Sequence, residues 1–95
     1  MANAQDGTGG RMKNLSYEGS NIITDKDGNK TVTLTGNYSS TPFVSATPGG
    51  GNADNCIAYI TSIENTNNGW QVVFRTSMGE QTVRYQAWGE IKETF

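Results

Sequence analysis

The sequence has no histidine, one cysteine, two prolines and two leucines among its 95 residues. Without histidine, it lacks the only side chain whose ordinary pKa lies near neutrality, and with it the commonest general base of enzymes. The single cysteine, Cys56, excludes an intrachain disulfide and a cysteine-rich metal site. Two leucines, and no apolar run near the roughly 20 residues that a bilayer requires, exclude a helical bundle and a membrane-spanning helix.

The sequence also has little net charge. Seven Lys and Arg residues stand against nine Asp and Glu residues, which gives a formal charge of −2. The cations are not clustered, and nucleic-acid binding needs a basic stripe, so we expect no nucleic-acid partner. Residues 1–6 lack the basic-then-apolar pattern of a secretory signal. We therefore expect a protein that is assembled in the cytoplasm and inserts into no membrane.

Small polar residues are abundant, and apolar residues are scarce. Gly, Thr, Asn and Ser supply 41 residues, and the apolar fraction is 34%, against about 45–50% in ordinary soluble domains. A chain of this length forms one small domain. A single core in a domain below about 70–80 residues rarely supplies more than about 3–5 kcal/mol. Since a disulfide and a metal have little support, we expect oligomerisation to bury the missing surface.

Short apolar stretches separated by turn signals predict an all-β fold, a small antiparallel β-sandwich of about six strands. Residues 1–13 carry three glycines and no periodicity, and are predicted to be a flexible arm or attachment segment. Residues 14–95 are predicted to form the sandwich, beginning with one or two weak strands over residues 15–24.

Two later stretches show clearer patterns. Residues 30–36 alternate, with Val32 and Leu34 on one face and threonines on the other. Residues 56–63 are apolar at both parities, which predicts a strand covered on both faces. Cys56 begins this stretch and is interpreted as a small core residue.

The last two strands, residues 70–76 and 81–91, are predicted to pair as a hairpin. With Thr76 opposite Gln81, the pairs that fall on the core face are Phe74 with Val83, Val72 with Tyr85, and Trp70 with Ala87. The two strands then agree on which side faces the core. Trp70 is accordingly interpreted as a packing residue.

The opposite face of this predicted hairpin carries Arg75, Arg84 and Trp88, with the two arginines diagonally within reach of each other. A tryptophan outside the core of so small a sandwich indicates a partner surface. These three residues are therefore predicted to form an oligomer interface, with a subunit contact favoured over a ligand contact for Trp88. Tyr38, in a short corner, is left open between stacking on a ligand and packing.

The sequence has few residues that could form a catalytic or metal site. Asp25 and Asp27 form an acid pair that glycoside hydrolysis could use, but two carboxylates in one exposed turn are usually there for the turn. The same turn loosely resembles a calcium loop without its later bidentate glutamate. We therefore expect no catalytic residue, no metal and no cofactor.

Loops at one end of the sandwich are the better candidate for binding. Successive connections of an antiparallel sandwich alternate between its ends, so residues 25–29, 48–55 and 77–80 are predicted to lie together. The predicted ligand-binding residues on these loops are Asp27, Asn52, Asp54, Asn55, Met78 and Glu80. Carboxylates and amides on loops suit polyhydroxylated ligands. Turns require the same residue types, so a structural role stays open for each.

Four runs of sequence, taken in order, resemble a known family. They are residues 32–47 (VTLTGNYSSTPFVSAT), 57–63 (IAYITSI), 68–74 (NGWQVVF) and 83–90 (VRYQAWGE). Their order and spacing resemble the H-type lectin-like domain of snail agglutinins and bacteriophage tail-fibre tips. The resemblance implies a six-stranded sandwich that forms a homotrimer and binds receptor glycan on outer loops or at protomer edges. The disulfide of secreted animal members cannot form here, which favours the phage branch.

Three functions follow as hypotheses. The first is a virion-surface adhesion module, the knob of a phage tail or head fibre, which binds host surface polysaccharide or another receptor. The second is a structural virion protein, a capsid decoration or tail-tip subunit, which contacts only other virion proteins. The third is a small glycan-active enzyme, which lacks both a base and a proper acid pair.

Overall fold

The computed structural model describes residues 14–92, which form six β-strands. In chain order the strands are β1 (Leu15–Ile23), β2 (Asn29–Thr33), β3 (Phe43–Pro48), β4 (Ala58–Thr66), β5 (Gly69–Thr76) and β6 (Thr82–Glu90). No helix among these residues is long and apolar enough to cross a membrane. The predicted arm, residues 1–13, lies outside the described residues.

The strands form two three-stranded antiparallel sheets. Sheet I has the order β1-β6-β3, and sheet II has the order β2-β5-β4. The predicted six-stranded antiparallel sandwich is therefore confirmed. Residues 15–24, predicted as one or two weak strands, contain a single nine-residue strand that pairs with β6 along its whole length.

The predicted hairpin between the last two strands is wrong, because β5 and β6 are the central strands of different sheets. Each is already flanked on both sides, so neither has an edge left for the other. The predicted core faces are nevertheless correct. Phe74 and Tyr85 are both buried and meet across the sandwich, with ring centroids 5.1 Å apart. Their strands face each other instead of lying side by side.

The predicted proximity of Arg75 and Arg84 fails for the same reason. Arg75 lies on the outer face of sheet II, where its Nη1 donates a 2.9 Å hydrogen bond to Oδ1 of Asn29. Arg84 lies on the outer face of sheet I, together with Trp88. The three predicted interface residues therefore do not form one surface.

The core lies between the two sheets. Its buried members are Leu34, Tyr38, Val72, Phe74, Val83, Tyr85 and Ala87. Trp70 packs against this cluster, and its indole Nε1 donates a 3.0 Å hydrogen bond to the carbonyl of Tyr38. The packing role predicted for Trp70 is confirmed, and so is the burial of Cys56. Tyr38, left open on sequence, is fully buried.

A β-bulge accounts for part of the apolar pattern at both parities in residues 56–63. The register of β4 against β5 shifts between Ile60 and Ser62. The extra residue lets Ile60 and Ile63 both pack against the core although they are three positions apart. Ile57 and Tyr59 are exposed. The predicted coverage on both faces is therefore wrong.

Candidate functional site

The three loops predicted to share one end of the sandwich do lie together. The backbone N–H of Glu80 donates to the carbonyl of Asp25 at 2.9 Å. The N–H of Ala53 donates to Oε1 of Gln81 at 2.8 Å. These bonds tie residues 77–81 to the turn at 25–29 on one side and to the loop at 48–55 on the other.

Asn52, one of the predicted ligand residues, is committed to holding its loop in place. Its Nδ2 donates to the carbonyl of Thr82 at 2.8 Å, and its Oδ1 accepts from the N–H of Thr82 at 2.7 Å. The side chain thus pairs with the first residue of β6 as a neighbouring strand would. Both polar ends of the amide have protein partners, so this residue serves the loop structure.

The other five predicted ligand residues lie on the surface of this end. Asp27, Asp54, Asn55, Met78 and Glu80 are exposed. Asn55 and Glu80 have backbone φ angles of 62° and 57°, in the left-handed region that tight turns use. A nearby hollow of about 300 Å³ has other residues for its walls: Ile23, Asp25, Asn29, Lys30 and Thr31. Ligand binding by the five residues stays a prediction.

Asp25 has the turn role that the sequence suggested. Its Oδ1 accepts hydrogen bonds from the N–H groups of Asp27 at 2.9 Å and Asn29 at 3.0 Å. The bond from Asn29 is the main reason that the pKa of the Asp25 carboxyl lies below its ordinary value. Among residues 14–92, no three acidic or cysteine side chains come together in a group suited to a metal ion.

Glu18 is a polar anchor that no sequence pattern singles out. Its Oε1 accepts from the N–H and hydroxyl of Thr35 at 2.9 and 3.1 Å. Its Oε2 accepts from the N–H of Gly36 at 2.9 Å and from the hydroxyl of Tyr38 at 2.7 Å. Burial raises the pKa of this carboxyl, but the hydrogen bonds together outweigh burial and leave the pKa lowered. Glu18 therefore anchors the segment that leads from β2 to β3.

The most distinctive surface is the outer face of sheet I, where alternate residues of three strands form a grid of three rows. The first row, named the aromatic row, is Tyr17, Trp88 and Phe43. The second row is Gly19, Gln86 and Ser45, and the third is Asn21, Arg84 and Thr47. The last two rows together are named the polar rows.

The aromatic row crosses all three strands. The rings of Tyr17 and Trp88 lie 6.3 Å apart between centroids, and those of Phe43 and Trp88 lie 5.9 Å apart, both pairs stacked. Tyr17 and Phe43 are each 66% exposed, and Trp88 is 38% exposed. Leu15 continues the apolar surface beyond Tyr17 and is 73% exposed. Exposed clusters of large apolar side chains are typical of binding surfaces, which makes this face the candidate site.

Two hollows flank Tyr17 on this face. One, of about 400 Å³, lies over the aromatic row and Leu15 and reaches Glu90. The other, named the trough, has a volume of about 430 Å³. The residues that line the trough are Tyr17, Gly19, Ser20, Asn21, Arg84, Tyr85 and Gln86. Both volumes lie within the ~300–1,000 Å³ of typical small-molecule sites.

Three polar side chains beside the aromatic row have no partner among the described residues. The side chains of Asn21, Arg84 and Gln86 make no hydrogen bond or ion pair to any of residues 14–92. All three side chains are exposed. A guanidinium, two amides and a row of rings can bind a molecule that has both hydroxyl groups and apolar faces.

The sequence identified Trp88 as an outward aromatic but missed its partners. Tyr17 and Phe43 are 71 and 45 positions away along the chain, and only the pairing of β1 and β3 with β6 brings them beside it. Alternation within one strand shows which residues share a face, but it does not identify the neighbouring strands.

Comparison of the chain with family models, with curated proteins and with solved structures finds no match in any of the three.

Proposed function

We propose that the chain is a virion-surface adhesion module that binds host-surface glycan through the outer face of sheet I. The observation that carries this proposal is the aromatic row lying directly beside the polar rows, whose Asn21, Arg84 and Gln86 side chains have no partner among residues 14–92. A sugar ring has apolar faces of C–H groups and a rim of hydroxyls. An aromatic side chain can cover the C–H faces, while amides and a guanidinium hydrogen-bond to the hydroxyl groups.

The resemblance to H-type lectin-like domains supports the same proposal from the sequence side. It implies glycan recognition, attachment to a phage fibre and a homotrimer. Because glycan binding needs the aromatic row open, the trimer in this proposal is held together by other surfaces. Ile57 and Tyr59, exposed apolar residues at the start of the β4 edge of sheet II, are candidates for that contact.

Binding to an array of bacterial surface polysaccharides tests the proposal. We expect saturable binding by the wild-type chain and a loss of about tenfold or more in Trp88→Ala, because the central ring of the row is removed. Asp54→Ala, at the loop end, tests the alternative site on the loops, and it binds as the wild type does if the outer face of sheet I is the site. Binding lost in Asp54→Ala but kept in Trp88→Ala would place the site on the loops instead.

The second candidate is a structural virion protein whose contacts are all with protein. The observation that favours it is the apolar character of the aromatic row together with Leu15, since large exposed apolar patches also mark protein interfaces. This candidate predicts saturable binding to purified capsids or tails and none to the polysaccharides. Loss of capsid binding in Trp88→Ala would then assign the row to that contact.

A further inference from the structure

One of the residues that line the trough beside the aromatic row has no side chain. This residue is Gly19, which lies opposite Gln86. A Cβ atom at this position would lie 2.7 Å from the carbonyl oxygen of Tyr85, closer than such atoms approach, so the backbone would have to shift. The glycine therefore keeps β1 close to β6 and leaves open space between Tyr17 and Asn21.

The charge of the three rows is entirely positive. Arg84 is the only charged side chain among their nine residues. The acidic residue on the same strand face, Glu90, is six positions along β6, about 20 Å away at roughly 3.3 Å per residue. The guanidinium of Arg84 has no ion pair or hydrogen bond to any of residues 14–92. A guanidinium that has no partner among the described residues and lies beside a hollow fits an anionic ligand.

On these grounds we propose that the trough binds an acidic sugar unit, a uronic or sialic acid within a polysaccharide, whose carboxylate pairs with the Arg84 guanidinium. This inference rests on the proposed function and narrows its ligand class. The guanidinium fork matches a planar carboxylate with two parallel hydrogen bonds. The amides of Asn21 and Gln86 take hydroxyl groups of the same unit. Tyr17 stands at the boundary of the trough and packs against the ring.

The test uses four acidic polysaccharides, each paired with its carboxyl-reduced neutral form. The probes are polygalacturonate, alginate, hyaluronate and polysialic acid, with mannan as a neutral polymer and dextran sulfate as an anion without carboxylates. We expect at least one acidic polymer to bind about tenfold or more tightly than its reduced form, because a charge-assisted pair is lost on reduction.

Variants at Arg84 assign the preference to this side chain. Arg84→Gln is expected to erase the difference between the acidic and reduced polymers. Arg84→Lys is expected to restore only part of it, because an ammonium lacks the planar fork. Arg75→Gln is the matched control, since it makes the same change on the opposite outer face and is expected to keep the preference. Circular dichroism of each variant confirms that it is folded.

The outcomes separate this inference from the proposed function. Binding of neutral polymers alone, lost in Trp88→Ala and unchanged in Arg84→Gln, overturns the acidic ligand but keeps the glycan-binding module. An acidic preference that survives Arg84→Gln, or equal binding to dextran sulfate, also overturns it. Binding to none of these polymers overturns this inference alone. Binding to none of the bacterial polysaccharides on the array, or binding untouched by Trp88→Ala, overturns the proposed function and this inference with it.

Discussion

The hydroxyl of Tyr38 donates a 2.7 Å hydrogen bond to Oε2 of Glu18, a residue 20 positions earlier in the chain. Glu18 lies on β1, at the edge of sheet I, and Tyr38 lies between β2 and β3. With the bonds from Thr35 and Gly36, the carboxylate accepts four hydrogen bonds from the described residues. It therefore fixes the chain at the point where it crosses from sheet II to sheet I.

Replacing this carboxylate with an amide is expected to destabilise the fold. Glu18→Gln removes the charge that strengthens the four bonds and sets an NH₂ group against N–H and O–H donors. We expect the free energy of unfolding to fall by about 2–3 kcal/mol, in line with hydrogen bonds to charged groups. Urea unfolding measures the change. Glu64→Gln, an exposed carboxylate on β4, is the matched control and is expected to stay within about 0.5 kcal/mol of the wild type.

The lowered pKa of Glu18 predicts how stability changes in acid. A carboxyl whose pKa in the folded state lies below its ordinary value of 4.5 contributes stability that is fully present above that value. The contribution is lost as the pH falls through the lower, folded-state pKa. Unfolding at a series of pH values below about 4.5 should therefore show a steeper loss in the wild type than in Glu18→Gln. Parallel curves for the two proteins would contradict this role for Glu18.

The raised pKa of the Tyr38 hydroxyl predicts a loss of stability in alkali, whereas the lowered pKa of Glu18 predicts a loss in acid. Burial, and then the hydrogen bond to Glu18, raises the pKa of its hydroxyl from 10.0 to about 12. A raised pKa contributes stability that is fully present below the ordinary value and is lost as the pH rises through the folded-state pKa. Stability should therefore fall between pH 10 and about 12. In Tyr38→Phe this loss should shrink, although Tyr85, whose pKa is also raised, still contributes.

The alternation of apolar and polar residues along β5 and β6 correctly predicted which of their residues form the core. This period of two is the same whichever strands lie side by side. Val72, Phe74 and Val83 are buried as alternation required. The pairing of strands is a long-range property that alternation does not encode. Phe74 and Val83 share the core both in a hairpin and across two sheets, so the predicted pairs agreed with each other and still described the wrong neighbours.

Of the candidate site, the sequence could predict only a residue whose outward position follows from its own strand. Trp88 is outward by its position in β6, whichever strands flank it. The aromatic row and the trough depend on three strands meeting in one register, which no local pattern contains. Asn52 was predicted as a ligand residue, but its side chain pairs with Thr82. Sequence alone does not distinguish an asparagine that binds a ligand from one that holds a loop in place.

Asn52 provides a prediction that separates these two roles. Asn52→Ala leaves the N–H and carbonyl of Thr82 without their side-chain partner, and we expect a loss of about 1–3 kcal/mol in the free energy of unfolding. Asp54→Ala, two positions along the same loop and exposed, is expected to change stability by less than about 0.5 kcal/mol. Equal stability of the two variants in thermal unfolding would show that the Asn52 pairing contributes nothing.

The mass of the assembled protein shows whether the aromatic row binds glycan or contacts another subunit. We expect the wild-type chain to sediment as a trimer at micromolar concentration, and Trp88→Glu to keep that mass while it loses glycan binding. Trp88 is exposed in the single chain, so the substituted carboxylate stays in water and the fold should tolerate it.

Tyr59→Glu makes the same kind of change on the outer face of sheet II, where the proposal places the subunit contact, and it should lower the mass. If Trp88→Glu dissociates the trimer and Tyr59→Glu does not, the aromatic row is a subunit contact, and the structural virion protein becomes the better account of this chain.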